Sequence, residues 1–199
     1  MSLHVALVGD SVFDNGAYTG GEPDVAQHLR AMLGADGRVT LLAVDGATTF
    51  DVGPQLGRVG ADVSHVVLSI GGNDALMHAG LLSTGVRSTG DALDLFETAL
   101  EGFAASYRHV VEALIELGRP LTVCTIYNAD LPAPEKRRAR VALTMFNDII
   151  QRTAIAAGAR VIELREVCTE PEDFAQAIEP SGRGGAKIAR AIAASLSRA

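Results

Sequence analysis

The sequence is short of cysteine, with only Cys124 in an apolar run and Cys168 in a polar one. Their spacing fits no metal site and gives no disulfide framework, so a reducing compartment suits the chain and a cytoplasmic protein is expected. Basic residues are also scarce: 17 Lys and Arg against 24 Asp and Glu leave a net charge of −7. That balance argues against a nucleic-acid partner, because phosphate binding depends on clustered cations that release counterions. The one basic run, Lys136–Arg140, reads as a solvated helix face. No apolar run approaches the roughly 18 to 20 residues that span a bilayer, so no membrane partner is expected. Met1-Ser2-Leu3-His4 leads straight into an apolar segment without a basic region or a small-residue cleavage site, so a secretory signal is not expected either. Repeats, low-complexity tracts and composition breaks are missing, and 199 residues at 48% hydrophobic content are read as one domain, 1–199, with an ordinary core.

What the sequence does have is alternation. Short β-rich runs at Val5–Val8, Val39–Ala43, Val66–Ile70, Leu121–Ile126 and Val161–Leu164 are separated by longer segments of helical period. Asp24–Leu33, Asp91–Leu117, Glu135–Ala157 and Ala186–Leu196 are predicted helices; Leu93, Phe96, Leu100, Phe103, Tyr107, Val110 and Leu114 mark the core stripe of the second, and Val141, Met145 and Ile149 one face of the third. The pattern predicts an α/β fold, a three-layer α/β/α sandwich on a five-stranded parallel sheet. Ligands in such sheets bind beyond the carboxyl ends of the strands, which directs attention to the residues after each run. These are Gly9-Asp10-Ser11, Asp45-Gly46-Ala47-Thr48, Gly71-Gly72-Asn73-Asp74 and Tyr127-Asn128-Ala129-Asp130.

Each block alone has an ordinary explanation. A serine after a strand is commonly a helix N-cap, and Gly and Asn serve any turn that needs positive φ. There is no G-x-S-x-G elbow and no glycine-rich phosphate loop. In this order and at these spacings, however, Gly9-Asp10-Ser11, Gly46, Gly71-Gly72-Asn73-Asp74 and the late Pro180-Ser181 with Gly184–Ala189 resemble the SGNH (GDSL-type) hydrolases over nearly the whole chain. The resemblance implies Ser11 as nucleophile of an ester hydrolase and an oxyanion hole from the Ser11 and Gly46 backbone N–H groups and the Asn73 side chain. Asp10, Asp74 and His78 are expected to border the substrate, a small-molecule ester, and no cofactor or metal is implied. Nine aromatic residues, none a tryptophan, and no evident hydrophobic lid favour a short-acyl or carbohydrate ester over a long-chain lipid.

The chain departs from the family at its end. The pattern Asp-x-x-His before Pro-Ser reads here as Gln176 and Glu179, and the last of the five histidines is His109. A serine hydroxyl needs a proton acceptor to become a nucleophile, and several readings supply one or dispense with it. Glu179 replaces the histidine as general base, which needs no orienting Asp and so accounts for both losses together. Alternatively the pocket binds without acyl transfer, or His78, five residues after Asn73, is the base. A fourth reading gathers Asp10, Asp14, Asn73, Asp74 and Glu179 around a hard cation, against the plainer account that such Asp residues brace turn backbone. The loops Asn15–Glu22 and Leu76–Gly90 are expected to shape the pocket.

Overall fold

The structure, a computed structural model, describes residues 3–196. Its elements run β1 (His4–Gly9), α1 (Val25–Leu33), β2 (Arg38–Leu41), α2 (Val52–Leu56), β3 (His65–Ser69), α3 (Gly72–Met77), α4 (Thr89–Glu116), β4 (Leu121–Cys124), α5 (Glu135–Ala156), β5 (Arg160–Ile162), α6 (Leu164–Val167), β6 (Phe174–Ala175), β7 (Glu179–Pro180) and α7 (Gly182–Leu196). β1 to β5 form one parallel sheet in the order β2-β1-β3-β4-β5, as the alternation predicts, and β6 and β7 form a small antiparallel hairpin. No helix among the described residues is long and apolar enough to cross a membrane.

The strands are buried on both faces, and their period of two divides them between two cores. Ala6 and Val8 of β1 and Val66 and Leu68 of β3 face the layer of α2, α4 and α5, with Phe103, Tyr107, Phe146 and Ile150. Val5, Leu7 and Val67 face the layer of α1, α6 and α7, with Leu29, Leu164, Ile188 and Ile192. Each fully buried side chain of this kind contributes about 1.5–3 kcal/mol. Asp24, just before α1, caps it by accepting from the Gln27 N–H at 2.7 Å while the Gln27 side chain accepts from the Asp24 N–H at 2.9 Å.

Two helical stripes are corrected at their N-terminal ends. Leu93 is 65% exposed and Phe96 half-buried, so the core stripe of α4 runs through Phe103, Tyr107, Val110, Val111 and Leu114. In α5, Val141 is 66% exposed and the buried face is Phe146, Asn147, Ile150 and Ala154. The reason is length: α4 has 28 residues, about 42 Å, and both helices outrun the strands they cover. Asn147 marks the sheet edge on α5, since its side chain accepts from the Ile126 N–H at 2.7 Å and donates to the Ile126 carbonyl at 2.8 Å. The turns of α5 before it therefore project past the carboxyl ends of the strands.

Candidate active site

β1 ends in a turn that only glycine permits. Gly9 has φ +136°, and a Cβ there would lie 1.7 Å from the Ser69 carbonyl oxygen of β3. The buried Gln55 amide brackets this residue, accepting from the Gly9 N–H and donating to its carbonyl, both at 2.8 Å. Asp10 and Ser11 are thereby delivered to the sheet edge. The Asp10 Oδ1 accepts from the Val12 N–H at 3.1 Å, the turn-bracing role expected of it. Burial, opposed by that bond and reinforced by the charges of Glu179 and Asp74, pushes the Asp10 carboxyl up to about 8.

Ser11 is buried and caps no helix, α1 being capped by Asp24. Its side chain lies near the Glu179 carboxyl group and favours that group's charged form. Glu179 is half-buried, and its Oε2 is enclosed with no hydrogen-bond partner among the described residues. Burial raises its pKa, the nearby Ser11 side chain lowers it, and the charge of Asp45 raises it; the net shift is upward. The backbone N–H groups of Ser11 and Gly46 donate to no acceptor among the described residues. Gly46 takes φ +77°, a left-handed turn conformation suited to glycine. The Asn73 Nδ2 donates to the Ala47 carbonyl at 2.9 Å, which joins the loop after β3 to the loop carrying Gly46 and uses one of the amide's two N–H groups.

Other residues singled out from the sequence make further contacts near these strand ends. Asp10 and Asp74 are buried; Asp74 accepts from the Thr49 hydroxyl at 2.6 Å and the Thr49 N–H at 3.1 Å. Asp14 accepts from the Asp45 N–H at 3.0 Å. Among the described residues no group of three His, Cys, Asp or Glu is arranged to hold a metal ion. His78 stacks on Phe146 with ring centroids 6.5 Å apart and makes no hydrogen bond to Ser11. Tyr18 reaches from the first of the two loops to donate to Asp45 Oδ2 at 2.6 Å, and that bond pushes its phenol up to about 12.

The segment carrying Glu179 is held by residues that no motif announces. Asn15, fully buried, donates to the Pro180 carbonyl at 3.0 Å and accepts from the Val25 N–H at 3.0 Å. Tyr127 donates its hydroxyl to the Ile178 carbonyl at 2.7 Å. Ser181 caps α7 through its bond from the Gly184 N–H at 3.2 Å, and a Cβ on Gly184 would lie 2.1 Å from the Asp173 carbonyl oxygen. Asp173 is itself fully buried; burial pushes its carboxyl up, but Lys187 and the Glu170 and Thr169 N–H groups outweigh that and hold it below the usual range.

Beside Asn73 and Glu179 opens a cleft of about 470 Å³. Leu76, His78, Ala79, Leu82 and Ser83, from the second predicted loop, form one side, and Arg138, Ala139, Ala142, Leu143 and Phe146 of α5 another. The loop Asn15–Glu22 takes no part in its lining.

The sequence pattern of the GDSL-like lipase/acylhydrolase family matches residues 7–185. No curated protein sequence matches the chain. Among solved structures, the fold is similar to an extracellular lipase from Streptomyces rimosus, at 18% identity over 98% of this chain and 99% of that one, with a TM-score of 0.74. It is similar to a phospholipase A1 from Streptomyces albidoflavus, at 17% identity over 98% and 99%, with a TM-score of 0.73. A variant of an acetylxylan esterase from Geobacillus stearothermophilus matches at 17% identity over 100% and 98%, with a TM-score of 0.71. At these identities the likenesses speak for the fold.

Proposed function

The chain belongs to the GDSL-like lipase/acylhydrolase family, and from that premise we propose that it hydrolyses small-molecule esters through a Ser11 acyl-enzyme, with Glu179 as general base. The observation that carries this reading is the enclosed, unpartnered Glu179 Oε2 on a carboxyl group that lies near the Ser11 side chain and whose pKa burial has raised. A carboxylate with an ordinary pKa near 4.3 is a weak base toward a serine hydroxyl, and raising that pKa brings it nearer to what proton transfer at neutral pH requires.

In the proposed reaction the Ser11 Oγ attacks the ester carbonyl carbon as its proton passes to Glu179. The carbonyl oxygen takes up the displaced electron pair and is met by the free N–H groups of Ser11 and Gly46 and by the Asn73 amide, and each such donor is worth about 3 kcal/mol in the transition state. Collapse of the tetrahedral species breaks the bond to the alcohol oxygen, which receives the proton from Glu179. A water then attacks the acyl-enzyme, Glu179 accepts its proton, and the second collapse returns that proton to Ser11 and releases the acid.

The test is chemical. Wild-type protein should be labelled by a fluorophosphonate and should hydrolyse p-nitrophenyl esters, and Ser11→Ala should abolish both. Glu179→Gln should reduce kcat by about 10²–10⁴-fold with the fold retained, because the amide is nearly isosteric and accepts no proton. The acidic limb of the wild-type rate profile should lie above the ordinary carboxylate range, in the direction that burial moves Glu179. Full activity in Glu179→Gln together with its loss in His78→Ala would assign the base to His78 instead. Absence of labelling and turnover in folded protein would leave a ligand-binding pocket without acyl transfer.

A further inference from the structure

We propose that the cleft beside Asn73 and Glu179 holds an unbranched aliphatic acyl chain of about eight to ten carbons, its length measured along α5, so that the preferred substrates are medium-chain esters. This assignment rests on the hydrolase reading of the same site. It also draws the expected substrate away from a carbohydrate acyl ester.

The wall chemistry is the first ground. The cleft has about 470 Å³ and is lined by Leu76, Leu82, Phe96, Leu143, Phe146 and Ile178, among others. Its polar side chains are mostly at its borders: Asn73 and Glu179 at the site, and the exposed Ser83, Glu135 and Arg138. Tyr127 turns its hydroxyl to the Ile178 carbonyl, and His78 lies against the Phe146 ring. A sugar needs convergent donors and acceptors, and this lining offers an aliphatic chain what a sugar would lose in desolvation.

The second ground is how the lining is laid out on α5. Glu135, Arg138, Ala139, Ala142, Leu143 and Phe146 recur at intervals of three and four and so share one face of the helix. Phe146 is buried at the sheet edge, packed 5.0 Å from Phe103, whose ring in turn lies beneath Gly71. Arg138, about 12 Å away along the helix axis, is exposed. The face thus passes from a large apolar side chain near the reacting carbonyl, through two alanines, to charge at the mouth. An extended chain of about ten carbons covers that distance, and the alanines leave its path open. Because Asn73 begins the wall that continues through Ala75, Leu76 and Ala79, the group seated there is the one attached to the carbonyl carbon rather than the leaving alcohol.

The experiment is a chain-length series, with kcat/KM measured for p-nitrophenyl esters from acetate to tetradecanoate. It should rise about three- to fourfold per methylene and turn over at about eight to ten carbons. Ala142 and Ala139 lie about 6 and 10 Å along the helix from Phe146. Ala142→Phe should therefore move the optimum to shorter chains than Ala139→Phe does, each lowering the octanoate-to-acetate ratio at least tenfold, with circular dichroism confirming the fold. A profile that is flat or falls from acetate, variants that leave it unchanged, or a length dependence that follows the alcohol instead, each overturns the assignment. Binding of alkyl methyl ketones to Ser11→Ala, followed by calorimetry, separates the two readings. Affinity that grows per methylene and is lost in Ala142→Phe supports the cleft even if the wild-type protein turns over no ester. Hydrolysis of acetate with no gain for longer chains leaves the hydrolase standing and overturns the cleft.

Discussion

Asp10 shows how one side chain carries both a structural and an electrostatic consequence. It is buried, braces the turn before Ser11 through the Val12 N–H, and has its pKa raised from 3.8 to about 8, chiefly by burial. Between those two values the folded protein holds a proton that the unfolded chain has released. Stability should therefore fall as pH rises through that window and level off above it, at up to about 1.4 kcal/mol per pH unit. Urea unfolding between pH 5 and 9 checks this: Asp10→Asn, which cannot ionise, should flatten the decline, and an unchanged slope would refute it. The shared edge on which Ser11, Gly46 and Asn73 lie was legible in the sequence, because each follows a strand and strand ends in a parallel sheet share one edge. Asn15, Gln55 and Asn147 were not, because their side chains bond backbone 165, 46 and 21 residues away and no local pattern encodes such a pairing.

Among the elements, the hairpin of β6 and β7 is the one the sequence conceals. Two-residue strands hold no alternation to read, and Gln176 and Ala177 adopt left-handed φ of 49° and 67° without a glycine to signal the turn. The same concealment applies to the start of α7, which begins at Gly182 rather than at the expected Ala186. Glycines there read as a break, whereas Gly184 is needed for close approach to the Asp173 carbonyl. The hairpin matters because it bears Glu179, and Asn15 ties it to the start of α1. Asn15→Ala would leave the Pro180 carbonyl and the Val25 N–H without that partner, a loss of about 1–3 kcal/mol in stability. It should also lower kcat more than it changes KM, since Glu179 loses its position while the α5 wall of the cleft stays in place. Thermal unfolding and steady-state kinetics on the same variant measure both, and an unchanged kcat would show that the hairpin is held without Asn15.

At the scale of the whole molecule, the long strongly periodic helices and the five parallel strands followed from period and connection, while the order of the strands and the cleft did not. The cleft arises because α4 and α5 outrun the sheet, a matter of how element lengths compare in space. The sheet also parts the machinery. Glu179 and its Asn15 anchor belong with the α1 and α7 layer, whereas the cleft has α5 as one wall and Ile178 and Glu179 at its border, and Asn73 is bonded to Ala47 of the α4 and α5 core. The site therefore draws on both faces of one sheet, and local opening of a terminal helix is a common form of partial unfolding. Warming should loosen α7 and the hairpin first, so that turnover and uptake of alkyl ligands fade together, since Ile178 and Glu179 border the cleft. Heat would thus blunt ligand uptake and any ester cleavage at once, and calorimetric binding measured just above the temperature of half-maximal activity would show whether the cleft outlasts the hairpin.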